Sequence, residues 1–475
     1  MLAITKRVFM DQKKYDIAVI GAGPGGYVAA IKLAQEGKKV CLIEKQFLGG
    51  TCLNVGCIPT KTLLSHADLL HRMAHAAEFG IEIGSIHLNY AKMKQRKDSV
   101  VEKMRRGLQG LLQSNQITIL QGQAEFISPK ELKITGKDTC KVEAEQIIIA
   151  TGSEPLDIPA LPCDHQLVCN STSILELTEL PKTLVIVGGG YIGCEFASLF
   201  ADLKVKVIIL EALGSIVINQ GKSISETLTR AFQKKGIEIQ TNVKVVGIDK
   251  QESGLRIRLE GDKELFCDKA LIAIGRKLVS NELGLERIGV ALDKKGAVIV
   301  NEKMQTSLDG IYAIGDVTGK NLLAHVASHQ GIIAADTILG KTVKMYYNAI
   351  PAVIFTNPEI AMVGMTFEEA EKAGFTPTIG KFPFQALGKA VASAETDGFA
   401  QIIIDKSTGQ ILGAQVVGSE ASALIAEMGL AIAQELTLDC IIDTIHAHPT
   451  LPEAWHEAAL LANETPLHLP PKRKL

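Results

Sequence analysis

Two cysteines stand five residues apart in the glycine-flanked stretch GGTCLNVGCIPTK, at Cys52 and Cys57. Thiols at this spacing can pack a core, ligate a metal, or form a redox pair that opens and closes by thiol–disulfide exchange. Neither a second cysteine pair nor a His-rich tract lies nearby to complete a zinc site. The choice between packing and redox therefore depends on what the rest of the chain brings to this loop.

Glycine loops bring an answer. Gly21, Gly23 and Gly26 in GAGPGG fit G-x-G-x-x-G directly after an apolar run of strand length, and Gly188, Gly190 and Gly193 repeat the pattern. In such a loop the first glycine permits a tight turn and the second lets backbone approach a pyrophosphate. The third lets helix and strand pack closely, with the helix N-terminus facing the anion. Each loop is followed 23 positions after its first glycine by a glutamate, Glu44 or Glu211, placed to accept a ribose hydroxyl. One such motif is a weak signal. Two at identical spacing predict two dinucleotide sites, a flavin held permanently and a nicotinamide that exchanges. Glu211 would repel a 2′-phosphate, and no arginine appears between it and Arg230, so NAD is favoured over NADP. Lys222 is the one cation in that interval.

The elements that must position these groups follow from the repeat. KYDIAVIGAGPGGYVAAIKLAQEGKKVCLIEK and TLVIVGGGYIGCEFASLFADLKVKVIILEA share one grammar of strand, glycine cluster, helix-period stretch, strand and closing glutamate. Each reads as a right-handed βαβ unit in a parallel sheet. Further apolar runs close on Gly152 (QIIIATG), Gly275 (ALIAIG) and Asp316 (IYAIGD). From about Tyr346 the character changes. DKSTGQ reads as a turn between two β-rich runs, with two helix-like segments from Glu420 to Cys440 and no phosphate loop. The expected class is α/β, with two Rossmann-like domains and a C-terminal α+β domain. The expected spans are 1–153, 154–280, 281–347 (completing the first domain) and 348–475.

Composition bounds the rest. The 475 residues are 47% hydrophobic and 21% charged, which is ordinary for a globular chain. With 50 basic against 52 acidic residues there is no electrostatic footprint for nucleic acid. Nine scattered cysteines are no disulfide framework, so a reducing, cytoplasmic compartment is expected. No run reads as a membrane span, because the most apolar window holds three successive glycines with Glu195 and Asp202. The basic first fourteen residues lack a signal-peptide pattern, Met10 is an alternative start, and a transit peptide with a mitochondrial matrix location is the weaker reading. The Pro-rich, basic end ETPLHLPPKRKL reads most simply as a disordered tail, or else as a short segment draped on a neighbour.

The cysteine loop, the doubled βαβ units, IYAIGDVTG and the late HAHPTLPEAWHEA together resemble the flavin-dependent pyridine nucleotide–disulfide oxidoreductases. The resemblance runs from about Tyr15 to Leu461, with the motifs in the family's order. It implies FAD and NAD+ as cofactors. Cys52 would be the thiol that meets substrate and Cys57 the thiol against the flavin. Lys61 would pair with Glu195 at the flavin edge. Asp316, Thr51, Gly152 and Ala324 would contact FAD, and Ile192 and Gly275 would border the nicotinamide. His448 would be the base, oriented by Glu453. Physical chemistry supports that pair independently: a dithiol attacks only as a thiolate, imidazole titrates near neutral pH, and a bonded carboxylate fixes its tautomer.

His446 reads as structural, and His325 as a packing or flavin-ring neighbour. The closest branch oxidises dihydrolipoamide with NAD+. Its partners would be a second copy of the chain and a lipoyl carrier, either the acyltransferase of a 2-oxoacid dehydrogenase complex or the glycine-cleavage carrier protein. The His448–Pro449 peptide is expected to be cis. Glutathione-type reductases would want basic residues after Glu211. A non-catalytic flavoprotein scaffold would not need all four of Cys52, Cys57, His448 and Glu453. The chain departs from the family pattern at Leu278 and Val279, where a Pro-Asn pair is usual. It also departs at Gln330, where a glutamate is frequent, at Pro452, and after Glu211, where ALGSIVINQG lacks the usual acidic residue and proline.

Overall fold

A computed structural model describes residues 11–470. The alternative start at Met10 and the end of the basic tail, 471–475, lie outside the described residues. The chain forms two compact units. The first comprises the described residues up to Thr62, Gln95–Leu156 and Gly275–Tyr346; the second comprises Leu63–Lys94, Asp157–Ile274 and the remainder from Tyr347.

In the first unit, strands β1 (Gln12–Ile20), β2 (Val40–Glu44), β3 (Thr118–Ser128), β4 (Glu131–Gly136) and β5 (Cys140–Ile149) build the sheet with Ile311–Ala313. The parallel part runs β3, β2, β1, β5, Ile311–Ala313, and antiparallel β4 joins β3 to β5. Ile17–Ile20, Val40–Ile43 and Ile147–Ile149 are buried throughout. Unbroken apolar runs of this kind belong to strands covered on both faces. Helix α1 (Pro24–Gln35) crosses from β1 to β2, with Pro24 in its first turn, where a missing N–H costs nothing. Helix Ala324–Ile338 packs on α1.

Two of the expected strands are shorter than their apolar runs. The ALIAIG strand ends at Ile272, after which Arg276–Leu278 pairs antiparallel with Ser153–Pro155. The IYAIGD strand ends at Ala313, because Gly315, with φ +74°, turns the chain into a short 3-10 segment that includes Asp316. Leu278 and Val279 are absorbed by this ribbon: Leu278 sits opposite Ser153, and the Val279 N–H donates to the Gly152 carbonyl at 3.0 Å.

In the second unit a five-stranded parallel sheet runs Glu238–Thr241, Lys206–Glu211, Thr183–Val187, Lys269–Ile272, Val168–Asn170. Helix Tyr191–Asp202 makes the crossover. An antiparallel meander, Val245–Cys267, is a further element with no counterpart in the sequence reading.

The C-terminal part is an antiparallel five-stranded sheet packed against helices Ala421–Ala433 and Glu453–Ala462 around the fully buried Trp455. DKSTGQ joins antiparallel strands Phe399–Asp405 and Ile411–Gly418, as the turn composition predicts. Pro452 directly precedes the last helix, as its missing N–H allows. Among the described residues no helix is long and apolar enough to cross a membrane.

Candidate active site

The two glycine loops are near copies. A Cβ on Gly26 would lie 1.9 Å from the Gly21 carbonyl oxygen, and one on Gly193 would lie 2.0 Å from that of Gly188. Only hydrogen fits there. Gly21 and Gly188 hold φ of +103° and +109°, where side chains are strained. By contrast, a Cβ on Gly23 or Gly190 would meet nothing within 4 Å, so the mouth of each loop is open. Glu44 accepts from the Ala22 N–H at 2.9 Å and the Gln46 N–H at 2.8 Å. Glu211 accepts from the Gly189 N–H at 2.6 Å and the Leu213 N–H at 2.7 Å. Each carboxylate is thus fixed at its loop by backbone donors. Beside the first loop a cavity is lined by Gly21, Glu44, Lys45, Thr151, Val279 and Glu282.

The cysteine segment is tied to the same loop. The Gly49 N–H donates to the Ala22 carbonyl at 2.8 Å, which brings α2 (Gly50–Val55) against Gly23. Cys52 lies in α2, and Cys57 opens α3 (Cys57–Ala74), with Gly56 between the helices. Both cysteines are present as thiols in hydrogen-bond contact. That bond, and then burial, push the Cys52 thiol well above its ordinary range, while the Lys61 charge opposes them.

Asp316 is fixed by Ser153, whose hydroxyl donates to its carboxylate. Arg276 donates to the Ser153 hydroxyl and carbonyl, each at 2.7 Å, and lies 3.9 Å from Asp316. Gly152, immediately before Ser153, has φ +72°. The Thr51 hydroxyl lies 3.4 Å from the Ser153 carbonyl, and Ala324 opens the helix that packs on α1. Gly275 clusters with this first unit and its carbonyl accepts from the Leu156 N–H at 3.1 Å. Gln330 is fully buried, and its amide oxygen accepts from the Gly315 N–H at 2.6 Å, steadying the turn next to Asp316.

In the second unit, Ile192 follows the open Gly190. Glu195 is buried on the same helix and accepts from the Phe355 N–H at 3.0 Å. His448 and Glu453 meet at 2.8 Å, from His448 Nδ1 to Glu453 Oε1. The other carboxylate oxygen accepts from the Thr450 N–H at 2.7 Å. With Nδ1–H committed to Glu453, Nε2 is the ring atom that can accept a proton. The His448–Pro449 peptide is cis, as the resemblance implied, and so is Asn357–Pro358, which the sequence reading did not include.

The family model described as pyridine nucleotide-disulphide oxidoreductase matches residues 15–331, and that family's dimerisation domain matches residues 350–459. The chain belongs to this family.

Among relatives within the pyridine nucleotide-disulphide oxidoreductases, a dihydrolipoyl dehydrogenase of Chlamydia pneumoniae is 50% identical over 460 residues, covering 97% of this chain and 99% of the relative. One of Geobacillus stearothermophilus is 41% identical, covering 95% and 97%. Of solved structures, the HOCl-induced flavoprotein disulfide reductase RclA from Escherichia coli aligns with a TM-score of 0.85 at 32% identity, covering 94% of this chain and 100% of the other.

Three residues near these groups were missed by sequence reasoning. Ser153 bonds Asp316 across 163 positions and Arg276 bonds Ser153 across 123, and no local pattern announces such bonds. The only signal for Arg276 was its place directly after the strand-closing Gly275. Glu427 was the third: it bonds His446 from a helix whose sequence reads simply as apolar.

Proposed function

We propose that this chain reoxidises dihydrolipoamide to lipoamide with NAD+ as final acceptor, using FAD and the Cys52–Cys57 pair. The observation that carries this reading is 50% identity, over nearly its whole length, to a protein named dihydrolipoyl dehydrogenase. The retention of Cys52, Cys57, His448 and Glu453 agrees with it.

His448 takes the proton from the first substrate thiol, and Glu453 balances the charge that forms on the ring. The substrate thiolate attacks the Cys52 sulfur, the Cys52–Cys57 bond breaks, and Cys57 leaves as thiolate. The second substrate thiol, giving up its proton to the departing Cys52 sulfur, attacks the substrate's own sulfur in the mixed disulfide with Cys52. That step closes the lipoamide disulfide and frees Cys52. Substrate has then lost two electrons and the cysteine pair has gained them. FAD, when bound, supplies the route by which those electrons leave the pair and pass as hydride to NAD+.

The open Gly23 and the cavity along Glu44 and Thr151 support FAD at the first loop, with Thr51, Gly152, Asp316 and Ala324 around it. Lys61 and Glu195 are assigned to the flavin's reactive edge. The open Gly190 supports NAD+ at the second loop, with Glu211 on the ribose and Ile192 and Gly275 toward the nicotinamide. Residues 1–153 with 281–347 would form the FAD domain, 154–280 the NAD domain and 348–475 the dimerisation domain.

The working form is a homodimer in the cytoplasm in which His448 of one chain serves the cysteines of the other. Its substrate arrives on the lipoyl arm of a 2-oxoacid dehydrogenase acyltransferase or of the glycine-cleavage carrier. One assay tests the reading: dihydrolipoamide with NAD+ against oxidised glutathione with NADPH, on FAD-loaded protein. Turnover of the first pair alone is expected. NAD+ should be preferred over NADP+ by at least about two orders of magnitude in kcat/KM, ~3 kcal/mol for a 2′-phosphate set against Glu211. Turnover of glutathione with NADPH, or none with dihydrolipoamide, would overturn it.

A further inference from the structure

The loop that carries the proposed base holds two imidazoles in opposite ways. The His448 side chain is 78% exposed and is bonded to Glu453. The His446 side chain is 7% exposed. Its Nε2 lies 2.9 Å from Glu427 Oε1 on helix Ala421–Ala433, and its Nδ1 lies 3.0 Å from the Thr444 carbonyl oxygen. On its other side, the His456 ring of helix Glu453–Ala462 sits 5.9 Å away, tilted by 47°. A carbonyl only accepts, so Nδ1 carries a proton toward Thr444. The bond to Glu427 then needs a second proton, between Nε2 and the carboxylate. The loop is fastened further by the Thr444 hydroxyl to the Cys440 carbonyl and by the Thr450 hydroxyl to the Ala447 carbonyl, each at 2.6 Å. All of these bonds are local except one. His448 and the Thr450 N–H hold the start of the helix that follows the loop, at Glu453, whereas the contact of His446 with Glu427 reaches back to the earlier helix Ala421–Ala433.

We propose that Glu427 and His446 are a positioning pair for the base: Glu427 anchors His446 as the buried foot of the loop, and that foot fixes the direction in which His448 meets the substrate thiol. This rests on the reading of His448 as the base. The charged and titratable groups facing His446 are Glu427 from one helix and Glu453 and His456 from the other. Burial pushes Glu453 up. The Thr450 N–H, His448 and, as a smaller contribution, His446 outweigh that and hold its carboxyl below the usual range. His446 thus also favours the ionised carboxylate that orients the base.

The test uses FAD-loaded dimeric protein with Glu427→Gln, His446→Gln and the double variant. Two reactions are followed: dihydrolipoamide to NAD+, which needs the base, and NADH to ferricyanide, which does not. Each single variant should lower kcat for dihydrolipoamide by roughly tenfold or more, as a small misaiming of a catalytic group does, with KM within about twofold. The double variant should be no worse than the more damaged single, since the two residues act as one unit. Ferricyanide reduction should stay within about twofold of wild type. A merely structural role would depress both reactions together and lower flavin content. That result, or kcat within about twofold of wild type in both singles, or losses that multiply in the double variant, would overturn the proposal. If wild type itself fails on dihydrolipoamide, the functional reading falls and takes this inference with it. If wild type succeeds and the variants match it, only the positioning pair falls.

Discussion

At the scale of single residues, Glu453 has two tasks in one carboxylate. One oxygen faces His448 and the other holds the Thr450 N–H. Glu453→Gln keeps the shape but cannot balance a charged imidazole, so kcat for dihydrolipoamide should fall by about 10²-fold while ferricyanide reduction by NADH is retained. Stability should respond as well. Burial raises the Glu453 carboxyl, but its bonds to Thr450 and His448 win and leave it below the ordinary 4.5. A depressed carboxylate contributes its full stability above the unfolded value and loses it as pH falls through the folded value. The urea midpoint of wild type should therefore fall more steeply than that of Glu453→Gln below about pH 4.5, and coincident curves would refute this.

The cysteines make a separable prediction. The family resemblance assigns Cys57 as the thiol against the flavin and Cys52 as the one that meets substrate. Cys57→Ser should abolish the long-wavelength thiolate–flavin absorbance of the reduced protein, and Cys52→Ser should keep it; the reverse pattern would exchange the two roles. Cys52 with Cys57 and His448 with Glu453 could be paired from the sequence because each pair is local and lies in a motif that carries the family resemblance. The Ser153, Arg276 and Asp316 group was not, because its members meet only after the sheet has formed.

At the scale of elements, the glycine loops separate what folding needs from what a ligand needs. A methyl on Gly26 collides with the Gly21 carbonyl, so Gly26→Ala should cost ~3 kcal/mol or more, read as a lowered urea midpoint. A methyl on Gly23 meets no protein atom. Gly23→Ala should keep a native far-UV CD spectrum and lose flavin on gel filtration, and full flavin retention would show that the open space is not the pyrophosphate cradle. Both βαβ units were legible because glycine spacing, strand-length apolar runs and a closing glutamate all point the same way. The limits of the ALIAIG and IYAIGD strands were not. Hydropathy continues to the glycine, whereas strand pairing ends when the backbone turns toward the next segment. The 25-residue helix Tyr90–Ser114, α4, has no apolar run to announce it, because most of its surface faces outward.

For the whole molecule, the base lies on a part of the chain that leaves apolar side chains uncovered. Ile445 is 97% exposed and Leu430 on helix Ala421–Ala433 is 64% exposed. Both fall within the span matched by the dimerisation domain. A second copy that covers them would account for this, and a two-fold pairing is the commonest way to do so. A hybrid tests whether the site is then shared. One subunit carries Cys57→Ser and the other His448→Gln, each nearly inactive as a homodimer. A shared site leaves one intact set per hybrid and about half of the wild-type activity, because the two lesions fall in the other site. A base acting within its own chain leaves every site damaged, so an inactive, verified hybrid would exclude sharing.

The pairing of Ile311–Ala313 with Ile147–Ile149 has a consequence for how the polypeptide is made. On a ribosome, β5 is made complete while the codons for its outer neighbour still lie roughly a hundred and sixty positions further along the message, which at ordinary elongation rates is roughly ten to thirty seconds. Through that interval three isoleucines line an unpartnered strand edge, the kind of edge that invites other nascent chains. All five strands of the second parallel sheet, from Val168 to Ile272, are translated within the same interval. The parallel sheet begun first is therefore completed after the parallel sheet begun second, and a chaperone that shields β5 would have its work bounded by the synthesis of Ala313.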